Sequence, residues 1–282
     1  MRRVTRIAEV REALGAARAR GQRISFVPTM GYLHEGHLRL VDEARRHADL
    51  VVMSIFVNPL QFGPTEDLAR YPRDLDGDAA KASARGVDLL FAPDGAEIYR
   101  EQPRVVVTPR ALAARWEGAA RPGHFEGVLT VVAKLFHIVQ PHVAVFGQKD
   151  IQQAILVRAM VEDLDMPVEV VVAPTVREPD GLAMSSRNSY LDAPSRERAL
   201  ALSGALRAVV SAHAAGERSA SSLEAIARAH LAERGVTDVD YVAVADPRTL
   251  EPLGQAEAGA IVAVAARIGR TRLIDNMILG RP

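Results

Sequence analysis

Ile24-Ser25-Phe26-Val27-Pro28-Thr29-Met30-Gly31-Tyr32-Leu33-His34-Glu35-Gly36-His37 carries a short apolar run into a turn and out again as a helix. Residues 24–27 read as a buried strand, Pro28-Thr29-Met30-Gly31 breaks it, and helical spacing begins near residue 36. Anything docked at that turn meets a helix N-terminus, whose free N–H groups and dipole favour anions. His34 and His37, three residues apart across Gly36, add donors that can follow charge developing on a phosphate. Gly36 has no side chain, so the backbone can approach a ligand closely. Two other readings stay open: plain polarity at a helix start, or a zinc pair. Against zinc, the chain has no cysteine, and no third ligand stands at a recognisable spacing.

Outward from this segment, strand-like runs at 24–27, 50–57, 87–91, 143–146 and 168–172 alternate with helical patterns at 36–48, 74–85, 127–139 and 151–164. Runs that are apolar throughout belong to strands buried on both faces, as in a parallel sheet between helices. The expectation is an α/β fold: a doubly wound, Rossmann-like parallel-sheet domain over 1–175, with 104–108 as a peripheral strand. After residue 175 a polar loop leads to two Ala-rich helices at 195–215 and 220–234, then strands at 239–245, 260–267 and 272–275. That order predicts a smaller α+β domain over 176–282 with an antiparallel sheet, touching the first across a cleft suited to a ligand.

Composition narrows the function classes. Lys+Arg and Asp+Glu stand at 35 each, so no basic surplus drives nucleic-acid binding. No apolar run approaches the ~18–20 residues of a membrane span. The Arg-rich N-terminus, 1–21, resembles a transit peptide in composition, but Glu9, Glu12 and the helical spacing of Ile7, Val10, Leu14 and Ala17 favour an amphipathic surface helix. The lack of cysteine removes thiolate chemistry and fits a cytoplasmic location. Only Lys81, Lys134 and Lys149 are lysines against an otherwise arginine background, which singles them out for tasks needing a compact charge.

Two more segments suit phosphate. Phe146-Gly147-Gln148-Lys149-Asp150 ends an apolar strand: Gly147 admits a close ligand, Lys149 offers a point charge, and Asp150 can accept from a ribose hydroxyl or simply cap the next helix. Met184-Ser185-Ser186-Arg187-Asn188 sits where the fold pattern switches and supplies hydroxyls and a guanidinium fork, although alone it reads equally as a polar loop.

Residues 28–37 and 54–62, Tyr71-Pro72-Arg73, residues 146–150 and the run 181–188 together closely resemble the pantothenate synthetase family, in order and over nearly the whole chain. The resemblance implies an ATP- and Mg²⁺-dependent ligase that adenylates pantoate and then passes the pantoyl group to β-alanine, releasing AMP and pyrophosphate. It implies that His34, His37, Lys149, Ser185 and Arg187 are catalytic. Pro28, Thr29, Met30, Gly36, Gly147, Asp150, Val176, Met184 and Ser186 would complete the ATP site. Met30, Gln61 and Gln153 would hold pantoate, Asp78 would lie at the metal, and Arg121 and His124 would belong to an active-site loop. A homodimer is also implied, with no nucleic-acid or membrane partner. Gln148 and Ile151 depart from the usual family residues at positions without an evident chemical duty. The rivals are an RNA-linked synthetase relative, disfavoured by the neutral charge, and a catalytically silent nucleotide-binding module.

Overall fold

The computed structural model describes every residue except Thr65, Arg281 and Pro282. The first part of the chain runs β1 (Arg2–Val4), α1 (Ile7–Ala19), β2 (Ile24–Thr29), α2 (Glu35–His47), β3 (Leu50–Ile55), α3 (Leu75–Arg85), β4 (Leu89–Phe91), α4 (Gly95–Ile98), α5 (Trp116–Ala120), α6 (His124–Val139), β5 (Val143–Gly147), α7 (Ile151–Asp163) and β6 (Glu169–Ala173). The six strands form one sheet in the order β1-β4-β3-β2-β5-β6, every neighbouring pair parallel.

Parallel strands need crossover helices, and these cover both faces. Val10 and Leu14 of α1, the apolar face of α6, and Leu156 and Val157 of α7 pack with Phe26 and Phe146 on one side. Leu40, Val41 and Ala44 of α2 and Ala82 of α3 pack with Val27, Met53 and Val145 on the other. The strand order reverses between β2 and β5, which pair through Ser25–Val143 and Phe26–Ala144. The crevice beyond the carboxyl ends of two such strands is where an open α/β sheet receives its ligand.

The remainder runs α8 (Ala193–Ala214), α9 (Ala220–Glu233), β7 (Val239–Ala245), β8 (Ile261–Ile268) and β9 (Thr271–Ile278), with the three strands in an antiparallel sheet. Leu202, Leu206, Leu223 and Leu231 of the helices pack with Val242, Val262 and Val264 on one sheet face. Across the other face, Ala245, Ile261 and Ala263 meet Trp116 and Ile155, and Trp116 stacks on Tyr241 with centroids 5.7 Å apart. The small sheet is thus sandwiched between its own helices and the larger unit. No described helix is long and apolar enough to cross a membrane.

Three differences from the sequence reading have local causes. The N-terminal helix is preceded by β1, because Glu9 accepts the N–H groups of Thr5 and Arg6 and so starts the helix only at Ile7, freeing Arg2–Val4 to pair with β4. Residues 104–108 form no strand: Val107 donates its N–H to Thr130 Oγ1 at 3.0 Å, and Val105 is 85 % exposed. Gln148, expected to have no duty, donates to Asn276 Oδ1 at 3.2 Å, while Asn276 Nδ2 donates to the carbonyls of Gln148 and Lys149 at 2.9 Å each. β9 therefore grips the turn that follows β5.

Candidate active site

The turn after β2 is held from behind by α3. Asp78, almost fully buried, accepts the N–H groups of Tyr32 and Leu33 at 2.6 Å each, and Lys81 donates to the Leu33 carbonyl at 2.9 Å. Thr29 Oγ1 donates to the Ser54 carbonyl at 2.7 Å and accepts from Gly31 at 3.2 Å. Gly31 takes φ +85°, and a Cβ there would stand 2.9 Å from Ile55 and 3.0 Å from Asp78. Both oxygens of Asp78 serve backbone amides, and the residue lines neither part of the cleft, so this geometry makes it a brace of the turn and lends no support to the Mg²⁺ role expected of it. Nor does it cap α3, a role taken by Asp74 through Gly77 N–H at 3.1 Å.

That brace delivers the histidine pair. Their rings lie 4.1 Å apart, at the start of α2. His37 Nδ1 accepts from the His34 N–H at 3.4 Å, so a neutral His37 carries its proton on Nε2. His34 Nδ1 is buried without a partner among the described residues. A Cβ on Gly36 would lie 2.8 Å from the His34 ring, so this glycine makes room for an imidazole rather than for the ligand itself. Burial, reinforced by Lys149, lowers His34 to about 4. Burial, with His34 and Lys149 nearby, holds His37 well below its usual value. At neutral pH both rings are uncharged, and each has one N–H to offer an anion.

Around the pair lies a recess of about 230 Å³ that opens into a cleft of about 620 Å³ between the two sheets. The recess gathers Pro28, Thr29, Met30, His34, Gly36, His37, Gln61, Gly147, Lys149, Asp150, Gln153, Val176, Met184, Ser185, Ser186 and Arg187, together with Arg121 and His124. Every candidate from the sequence except Asp78 is therefore brought together. Lys149 reaches the cleft from the turn after β5, with Asp150 Oδ1 3.6 Å away. Asp150 occupies the capping position of α7 but makes no capping bond, and its half-exposed carboxylate stays available.

The opposite wall is the turn Ser186–Tyr190. Ser185 caps it by accepting the Arg187 N–H at 3.3 Å, and Ser186 Oγ donates to the Tyr32 carbonyl at 3.4 Å, tying it to the histidine turn. Asn188 Nδ2 donates to Glu178 at 2.7 Å and to the Ala183 carbonyl at 3.1 Å, and Arg177 makes a two-bond pair with Asp275 of β9 at 2.6 and 3.0 Å. Gln61 sits at the end of a short turn, Pro59–Gln61, clamped against α6. A Cβ on Gly127 would collide with the Leu60 carbonyl, so only glycine permits this approach. The Gln61 amide is buried, with Nε2 2.9 Å from the Met30 sulfur and Oε1 accepting from Asn58 at 3.2 Å.

Some residues of the site carried no sequence signal. Glu66 pairs with Arg121, Asp67 with Arg187, and Asn276 holds the Lys149 turn. The two acids stand in an irregular stretch and Asn276 on a distant strand, so no periodicity marks them. Only the string beginning Tyr71-Pro72-Arg73 hinted that this region faces the site, and Tyr71 does lie beneath the Arg187 guanidinium, 5.8 Å from ring centroid to Cζ.

The family model for pantoate-beta-alanine ligases matches residues 2–278. The chain belongs to that family. Pantothenate synthetase 1 of Bradyrhizobium diazoefficiens is 53% identical over 99% of this chain and 98% of its own length. The pantothenate synthetase of Anaeromyxobacter dehalogenans is 56% identical over 93% of this chain and 92% of its own. Among solved structures, pantothenate synthetase from Thermus thermophilus superposes with TM-score 0.93 at 51% identity, covering 98% of this chain and 99% of that one. The Francisella tularensis pantoate-beta-alanine ligase, described as complexed with beta-gamma ATP and beta-alanine, gives TM-score 0.82 at 33% identity over 99% and 97%. The activity of this chain is that of an ATP-dependent pantoate–β-alanine ligase.

Proposed function

We propose that the recess and cleft at the β2/β5 switch point carry out both half-reactions in turn, with the following division of roles. Pantoate lies against Met30, Gln61 and Gln153, its carboxylate turned toward the ATP α-phosphate. A carboxylate oxygen attacks that phosphorus, the bond to the β-phosphate oxygen breaks, and pyrophosphate leaves. The β-alanine amine then attacks the acyl carbon of pantoyl adenylate, AMP departs with the former carboxylate oxygen, and the amine sheds its proton. No protein nucleophile is required. What the chain supplies is position and charge stabilisation.

His34 and His37 hold phosphate oxygens through uncharged N–H donors, Lys149 and Arg187 neutralise charge on the leaving pyrophosphate, and Ser185 and Ser186 close over the triphosphate. Pro28, Thr29, Gly147, Asp150, Val176 and Met184 enclose the nucleotide. Arg121 and His124 act behind Gln61. Mg²⁺, if it accompanies ATP, would be met mainly by phosphate oxygens and water and would supply neutralisation of phosphate charge. The carrying observation is that His34, His37, Lys149, Ser185 and Arg187, from three separate segments, converge on one recess at the switch point, with uncharged imidazoles beside two fixed cations. Incubation with ATP, Mg²⁺ and pantoate, with and without β-alanine, tests the reading. AMP and pantothenate formed only with β-alanine support it; AMP release indifferent to β-alanine sinks it.

We also divide the chain into units 1–175 and 176–282, and propose a homodimer. In support of the dimer, Val105 and Val106 are exposed apolar side chains in a segment that pairs with no strand among the described residues. Val105→Lys is expected to shift the sedimentation mass from two copies to one; an unchanged mass would remove this segment from the interface.

A further inference from the structure

Two consecutive carboxylates reach across the cleft mouth, and each grips an arginine in the same way. Glu66 takes Nε and Nη2 of Arg121 at 2.7 and 2.6 Å. Asp67 takes Nε and Nη2 of Arg187 at 3.2 and 3.0 Å. What remains of each guanidinium differs. Arg121 gives Nη1 to His124 Nε2 at 3.0 Å and a further Nη2 contact to the Gln61 carbonyl at 3.3 Å. His124 Nδ1 lies 2.8 Å from that same carbonyl, which fixes the tautomer: Nδ1 donates and Nε2 accepts. Four of the five Arg121 N–H donors are engaged in this way, and the network holds the Gln61 backbone. Arg187 has no partner on Nη1 among the described residues, and the residue lines the recess together with Lys149 and Ser185.

We infer that Asp67 is a positioning residue for phosphate recognition: its carboxylate takes one edge of Arg187, Tyr71 supports the guanidinium plane, and the remaining edge is presented to the leaving phosphates of ATP. This rests on the ligase reading above and assigns the acid a task within it. A side-on pair leaves two N–H donors on Nη1 in a fixed direction, whereas an unpaired arginine spreads over many rotamers. Arg187 and Asp67 come from opposite walls of the cleft. The pair therefore places the arginine of the Ser186–Tyr190 turn relative to the loop that also carries Glu66, and hence relative to Gln61.

Pantoate-dependent exchange of labelled pyrophosphate into ATP isolates the first half-reaction and tests the assignment. Asp67→Asn is expected to lower kcat for exchange about 10- to 100-fold, the range that misplacement of a reacting group produces. KM for pantoate should stay within about twofold, since Gln61 is held by the other pair, and Asp67→Glu should recover part of the rate. In an Arg187→Ala background, Asp67→Asn should change exchange by less than about twofold, because nothing remains to be positioned. Thermal melts accompany each variant, and if Asp67→Asn melts early, Asp67→Glu carries the same comparison. A wild-type rate in Asp67→Asn, an equal loss in both backgrounds, or a pantoate KM rising in step with the fall in kcat would each overturn the inference. A wild-type chain with no pantoate-dependent exchange would overturn the proposed adenylate mechanism itself, and the inference with it.

Discussion

His34 and His37 are uncharged at neutral pH. Their burial beside Lys149 removes the proton that an exposed imidazole would take up near pH 6.5, so in the proposed mechanism the pair would meet ATP as oriented dipoles beside a fixed ammonium. His37→Ala and Lys149→Ala are each expected to slow adenylate formation by about 10²–10³, the usual loss for an electrostatic stabiliser, with little change in melting temperature. Rapid-quench measurement of pantoyl adenylate checks this; near-normal rates in both would remove their assigned roles. The same burial sets a pH dependence of stability. The unfolded chain protonates these histidines near pH 6.5, the folded chain only near 4 for His34 and His124 and well below 6.5 for His37. As pH falls from 6.5 toward 4 the unfolded state binds more protons, so stability declines through that window. Urea titrations at pH 7 and pH 5 are expected to show a smaller fall for His124→Gln than for wild type; an equal fall would mean that this ring titrates normally when folded.

At the scale of elements, the decisive contact is α3 against the turn after β2. Asp78 and Lys81 fix the turn's amides and a carbonyl, so a helix remote from ATP sets the direction in which α2 begins. Asp78→Ala strands two buried N–H groups and is expected to cost about 2–4 kcal/mol of stability, with loss of adenylate formation. Raising Mg²⁺ should not restore the rate; recovery at high Mg²⁺ would return Asp78 to the metal. The sequence showed α3 but not the brace its acid makes, because an acidic helix start looks the same whether its carboxylates meet a metal, a dipole or a neighbouring backbone. The strand–turn–helix units at 24–37 and 143–151 were legible for a plainer reason. Fully apolar runs followed by Gly and polar residues have one good solution in a parallel sheet. β1 was not legible, since three residues with two arginines give no periodic signal and only pairing with β4 makes them a strand.

Across the whole molecule, the site is an interface between two sheets. The larger sheet supplies the histidines, Lys149, Gln61 and Gln153, while the turn Ser186–Tyr190 supplies Arg187, and Asn276 of β9 ties the second sheet to the Lys149 turn. The candidate residues could be named from local strings, but what joins them could not. Glu66–Arg121, Asp67–Arg187, Gln148–Asn276 and Arg177–Asp275 link residues 55 to 128 positions apart, and such pairs leave no trace in spacing. The central claim is that this interface makes an acyl adenylate from pantoate before β-alanine takes part. Pantoate-dependent exchange of labelled pyrophosphate into ATP, measured without β-alanine, tests it most directly. Exchange that requires pantoate and disappears in His37→Ala is the result expected. Absence of exchange in a protein that still makes pantothenate would contradict the account.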